Sequence, residues 1–106
     1  MPKFLGHGSY TEAGIKGLLK EGGTKRREAV KQAIESVGGT LEAFYFAFGD
    51  KDFYFIFDTP DDVSAITGSL ISNASGTAKV KTTVLITPEE MDEAIKKTID
   101  WRPPGQ

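Results

Sequence analysis

Between Phe44 and Phe57 the chain reads FYFAFGDKDFYFIF, and eight of its eleven aromatic residues fall in this one stretch. Two aromatic runs flank Gly49-Asp50-Lys51-Asp52, a pattern that predicts a β-hairpin. A hairpin with one wet face alternates apolar with polar residues, whereas this one is apolar on both faces. Each face must therefore be covered. The helices of a single small domain suffice for one face. The other calls for a second copy of the chain, so the sequence predicts a homodimer joined through the second face of the sheet.

The rest of the composition narrows the classes. At 106 residues the chain has the size of one domain. Its formal net charge of −2 lacks the basic stripe of a nucleic-acid binder, and Lys25-Arg26-Arg27 is its only basic run. With no cysteine and one histidine, thiolate chemistry and a multi-histidine zinc site within one chain are excluded, and no metal is expected. No cofactor is called for either. No apolar run approaches the roughly 20 residues that span a bilayer. The first residues, Met1 to His7, lack the long apolar core of a secretory signal. No membrane partner is expected, and the expected location is cytoplasmic.

Along the chain, Lys3 to Ser9 reads as a short strand weakened by Gly6 and Gly8, where something must approach the backbone closely. Thr11 to Leu19 predicts a helical turn or two. A clearer helix follows, with Thr24 as N-cap, Ala29, Val30, Ala33, Ile34 and Val37 on one face, and Gly38-Gly39 as its stop. The first hairpin strand runs from Thr40 to Phe48. After the second strand, Thr59 as N-cap and Pro60 at the first position predict a helix with Val63, Ile66, Leu70 and Ile71 on its stripe. Ala78 to Ile86 reads as a fourth strand. Thr87-Pro88-Glu89-Glu90 is a capping box opening a last helix with Met91, Ala94, Ile95 and Ile99 as its apolar points. The order is strand, helix, strand, strand, helix, strand, then an extra helix. This is an α+β class, a ferredoxin-like βαββαβ domain with an antiparallel four-stranded sheet. One domain is expected over residues 3–100, with 101–106 as a C-terminal tail in which Trp101 anchors.

If Phe48 faces Phe53 across the turn, period two places Phe44, Phe46 and Phe48 with Phe53, Phe55 and Phe57. The opposite face then holds Ala43, Tyr45 and Ala47 with Tyr54, Ile56 and Asp58. The all-Phe face is expected to meet the helices. The Tyr and Ala face, with Leu5 and His7, is expected to meet the partner. The inverse assignment stays open at this point.

The segments Met1-Pro2-Lys3-Phe4, Tyr10-Thr-Glu-Ala-Gly-Ile15, Gly38-Gly39, Phe44-Tyr45, Gly49 to Phe53 and Thr59-Pro60-Asp61-Asp62 resemble the GYD domain family, in this order and spacing. The resemblance covers about residues 3–100. It implies the dimeric α/β-barrel superfamily, in which two ferredoxin-like sheets pack face to face. Of the Gly, Tyr and Asp in the hairpin turn that name the family, Gly49 and Asp52 match, and Lys51 stands where the tyrosine would be. The family has no established general activity, so the resemblance speaks to fold and assembly more than to function.

Three sets of residues are candidates for chemistry. His7, on its glycine-flanked strand, suits a general base or a haem ligand, but also a hydrogen-bonded histidine packed at an interface. Tyr45 and Tyr54 share a face and suit orientation of a small molecule, or plain packing with satisfied hydroxyls. Asp50, Lys51 and Asp52 suit a grip on a cation or amine, or simple turn formation. Three functions follow. One is a small-ligand binding or stress-associated accessory protein without catalysis. The second is a cofactor-free or haem-linked oxygenase or isomerase, acting on a small apolar or aromatic substrate in a cleft between sheet and helices. The third is an assembly module for larger oligomers.

Overall fold

The structure is a computed structural model that describes residues 1–106. Its elements are β1 (Lys3–Tyr10), α1 (Glu12–Glu21), α2 (Gly23–Ser36), β2 (Thr40–Phe46), β3 (Phe53–Asp58), α3 (Asp62–Ala74), β4 (Ala78–Leu85) and α4 (Pro88–Lys96). The four strands form one antiparallel sheet in the order β2-β3-β1-β4. The long connections put β1 and β3 in the centre, which is the ferredoxin-like split βαβ arrangement. The first crossover is two helices rather than one, because Gly22 adopts φ 87° between α1 and α2 and Gly38 adopts φ 84° after α2.

The Phe face of the sheet carries the helices. Phe4, Phe53 and Phe57 are buried there, with Ile34 of α2 and Ala65 of α3 closing the small core. Their rings form a continuous series, Phe4 to Phe57 at 5.3 Å between centroids, Phe57 to Phe55 at 5.3 Å and Phe55 to Phe44 at 5.7 Å. These offset contacts add to the area burial that drives the layer together. Nothing in the chain packs as a layer on the opposite face, where Leu5, His7, Tyr45, Tyr54 and Ile56 lie.

The hairpin differs from the expected register. Phe46, not Phe48, pairs with Phe53, and Tyr45 pairs with Tyr54. The shift is two residues, so the faces keep their identity, but β2 stops at Phe46 and Phe48 is fully exposed in the loop. Ala47 N–H donates to the Asp52 carbonyl, and Asp52 N–H donates to the Gly8 carbonyl, so the loop is tied to β1 as well as to the end of β2. A bulge between Leu41 and Ala43 also escapes the period-two reading. It puts Leu41 opposite Phe57, on the core side, without disturbing Ala43 and Tyr45.

Two helix starts are also corrected. Gly22, not Thr24, is the N-cap position of α2, because the preceding helix runs into it without a linker. At α3 the cap is Asp61, whose carboxylate accepts from Ser64 N–H at 2.9 Å. Thr59 is instead buried and donates to the Asp61 carbonyl at 2.7 Å. The capping box at Thr87 and Glu90 forms as expected. Asn73 closes the α3–β4 turn: its amide donates to the Val80 carbonyl at 3.0 Å and accepts from Val80 N–H at 2.9 Å. These bonds occupy outward-facing groups of an edge strand that would otherwise invite another chain.

Candidate cleft between the helices and the Phe face

Helices α2 and α3 do not close over the middle of the sheet. Between them lies a cleft of about 520 Å³. Its floor is made by Phe44, Phe53, Phe55 and Phe57, and its walls by Val30 and Ala33 of α2 and Gly68 and Ile71 of α3. The floor is flat because β1 contributes glycine there. Gly6 pairs with Phe55, and a Cβ on Gly6 would fall inside the Phe55 ring. A Cβ on Gly8 would likewise collide with the Lys79 carbonyl. The two glycines read from sequence as sites of close approach therefore serve the aromatic floor and the β1–β4 pairing.

The α3 wall is rich in hydroxyls, with Thr67 and Ser72 lining the cleft, because the helix alternates small polar residues with its apolar stripe. At one end stand Tyr10 and Arg26. The Tyr10 ring sits 5.0 Å from that of Phe53. Burial, the largest effect, pushes its pKa above the ordinary value. Arg26 opposes this, and Asp52 and Glu21 reinforce it. The phenol is therefore protonated at neutral pH and is a hydrogen-bond donor. Arg26 Nε lies 3.3 Å from Glu21 Oε1, an ion-pair distance, yet outside hydrogen-bonding geometry. Tyr10 and Arg26 are the only ionisable side chains lining the cleft.

Asp52 holds this end in place. Its carboxylate accepts from Tyr10 N–H at 2.9 Å, across the hairpin loop. Asp52 is thus a structural tie, whereas the side chains of Asp50 and Lys51 form no hydrogen bond or ion pair. No group of three or more acidic, histidine or cysteine side chains converges as a metal site.

His7, Tyr45 and Tyr54 come together, but on the other face of the sheet. The His7 ring stacks near Tyr54 at 6.1 Å between centroids, and Tyr54 is the cross-strand partner of both His7 and Tyr45. His7 Nε2 is 3.5 Å from Thr83 Oγ1. None of the three lines the cleft. Sequence reasoning missed Tyr10 and Arg26: Tyr10 is an isolated aromatic at a strand end, and Arg26 reads as part of a solvated basic run. The one available signal was the β1–helix junction, where Tyr10 precedes the Thr11 cap.

No helix is long and apolar enough to cross a membrane. No curated protein and no solved structure matches the chain. The GYD domain matches residues 4–95, from the first buried phenylalanine to the last apolar point of α4, and the chain belongs to the GYD domain family.

Proposed function

We propose that this protein binds a small apolar or aromatic molecule in the cleft over the Phe face, as an accessory protein rather than a catalyst, and that it does so as a homodimer. The observation behind this reading is the cleft itself. Its volume falls in the range of small-ligand sites, its floor is aromatic, and its two ionisable groups, Tyr10 and Arg26, stand together at one end. A planar ligand stacked on Phe44 and Phe55 would present a carbonyl or carboxylate to Tyr10 and Arg26. The cleft contains no paired nucleophile and base, which favours binding over turnover. The oxygenase alternative relied on His7 beside a cavity, and His7 lies across the sheet from this one.

The dimer is supported by the open face. Tyr45 is 72% exposed there beside Tyr54, Ile56 and Leu5. Full burial of an exposed large apolar side chain is worth about 1.5–3 kcal/mol, and the partly buried Tyr54, Ile56 and Leu5 would add less than that each. A two-fold pairing of open faces would bring each tyrosine pair against the other copy. Cytoplasmic location remains part of the same proposal.

Native mass spectrometry of the protein isolated from its own host tests both parts. The expected species is twice the chain mass plus a retained small molecule. A bare monomer would overturn the reading.

A further inference from the structure

The C-terminal arm has no place on its own domain. Every residue from Pro88 to Gln106 is exposed, and α4 has no buried residue. The molecule measures 56 × 33 × 23 Å, with a radius of gyration of 16.9 Å. A compact chain of this length has about 13 Å. Yet the arm is not built as a solvated tail. Thr87 and Glu90 form a reciprocal capping box at the start of α4, and Met91, Ile95, Ile99 and Trp101 are exposed along the arm. A nine-residue helix is marginal alone and needs a surface for its apolar stripe.

The same chain has an unfilled surface. A second cleft of about 340 Å³ runs along the outer side of α3 against β4, lined by Phe4, Ala65, Ile66, Leu70 and Val84. Leu70 is 67% exposed, and Val84 is 64% exposed. The only charged residue lining this groove is Asp62, next to the Asp61 cap.

Charge decides whose arm fits. β4 returns antiparallel to α3, so Val84 and Asp62 line the same end of the groove. An arm folding back on its own α3 would start there and run parallel to it. That would put Glu89 and Glu90 beside Asp61 and Asp62, like charges at both helix starts. An arm arriving from another molecule is free to enter the opposite way. Lys96 and Lys97 would then meet Asp61 and Asp62, with Ile95 near Ile66 and Met91 near Leu70. We infer that the C-terminal arm is exchanged: α4 of one copy seats its Met91 and Ile95 in the α3–β4 groove of a second copy, antiparallel to that α3. Arm and groove are both present in every chain, and the exchange we infer is the reciprocal one, which closes as a two-fold pair. It uses a surface separate from the open face of the sheet and joins the same two copies.

The chain has no cysteine, so directed disulfides test the inference. Full-length Ile95→Cys and Ile66→Cys chains, co-expressed with different tags and oxidised, are expected to give a disulfide-linked pair holding one chain of each kind. Both positions are exposed, so neither change touches the core. Free thiols on both chains would overturn the inference. So would an intrachain disulfide in the double variant, which would show the arm folded back. A second arm uses charge. Asp62→Lys should weaken association at least tenfold by sedimentation, and Lys96→Glu with Lys97→Glu should restore it. Unchanged association in Asp62→Lys, or a lack of rescue, would count against the antiparallel seating.

Discussion

The Phe55 ring lies across Gly6, its cross-strand partner, in the space that a Cβ on Gly6 would need. This pair makes the cleft floor. Gly6→Ala must push the ring upward into the cleft, since the sheet backbone lies beneath it. Overpacking of this kind costs about 1–3 kcal/mol. The expected result is a lower midpoint in chemical denaturation together with loss of any retained ligand.

Filling the cleft from the other side should separate stability from binding. Gly68 sits mid-helix in α3, lines the cleft, and has open space where a side chain would go. Gly68→Leu is expected to raise stability by up to about 1 kcal/mol, because glycine is a poor helix former. The same side chain occupies ligand space. Native mass spectrometry should show the retained small molecule lost while the oligomer mass is kept.

The hairpin loop should prove unequal in its two aspartates. Asp52→Ala removes a carboxylate that accepts from Tyr10 N–H at 2.9 Å and is expected to cost about 1.5–3 kcal/mol. Asp50→Ala is expected to change stability by no more than about 0.5 kcal/mol. Equal effects in urea unfolding would refute the role of Asp52 as the tie between loop and β1.

The α3 cap gives a pH signature. Asp61 is held below its ordinary 3.8, chiefly by the Ser64 backbone N–H and then by the Ser64 hydroxyl. A lowered folded value means the contribution is complete above the ordinary value and fades as pH falls through the lowered one. Asp61→Ala should therefore lower the thermal midpoint at neutral pH. The gap from the parent protein should narrow in acid below about pH 4.

The open face makes a separate prediction. Lysines at Tyr45 and Tyr54 would bring like charges into any face-to-face pairing while leaving the Phe core untouched. The double variant is expected to sediment with less face-to-face association and an unchanged circular dichroism spectrum. An unaltered dimer would show that this face is not the contact.

Much of this molecule was legible in the residues. Two aromatic runs around Gly49 to Asp52 dictated a hairpin with two apolar faces, because strand side chains alternate. Periodic stripes and caps dictated the helices, and their order dictated the split βαβ sheet. These signals are local, so they survive without knowledge of neighbours. The bulge at Glu42, the two-residue shift that frees Phe48, and the caps at Gly22 and Asp61 were not legible. Each is settled by how the backbone meets another element. The cleft was even less visible. Tyr10 and Asp52 are 42 positions apart and join only because the loop bonds to the end of β1. His7, Tyr45 and Tyr54 did come together as their alternation implies, but only the tertiary structure decided that the helices leave their face open and cover the phenylalanines instead. The side chains that could cover each face are written in the sequence. Which face receives them depends on chain connectivity, with the crossover helices passing on one side of the sheet, and that is a property of the whole fold.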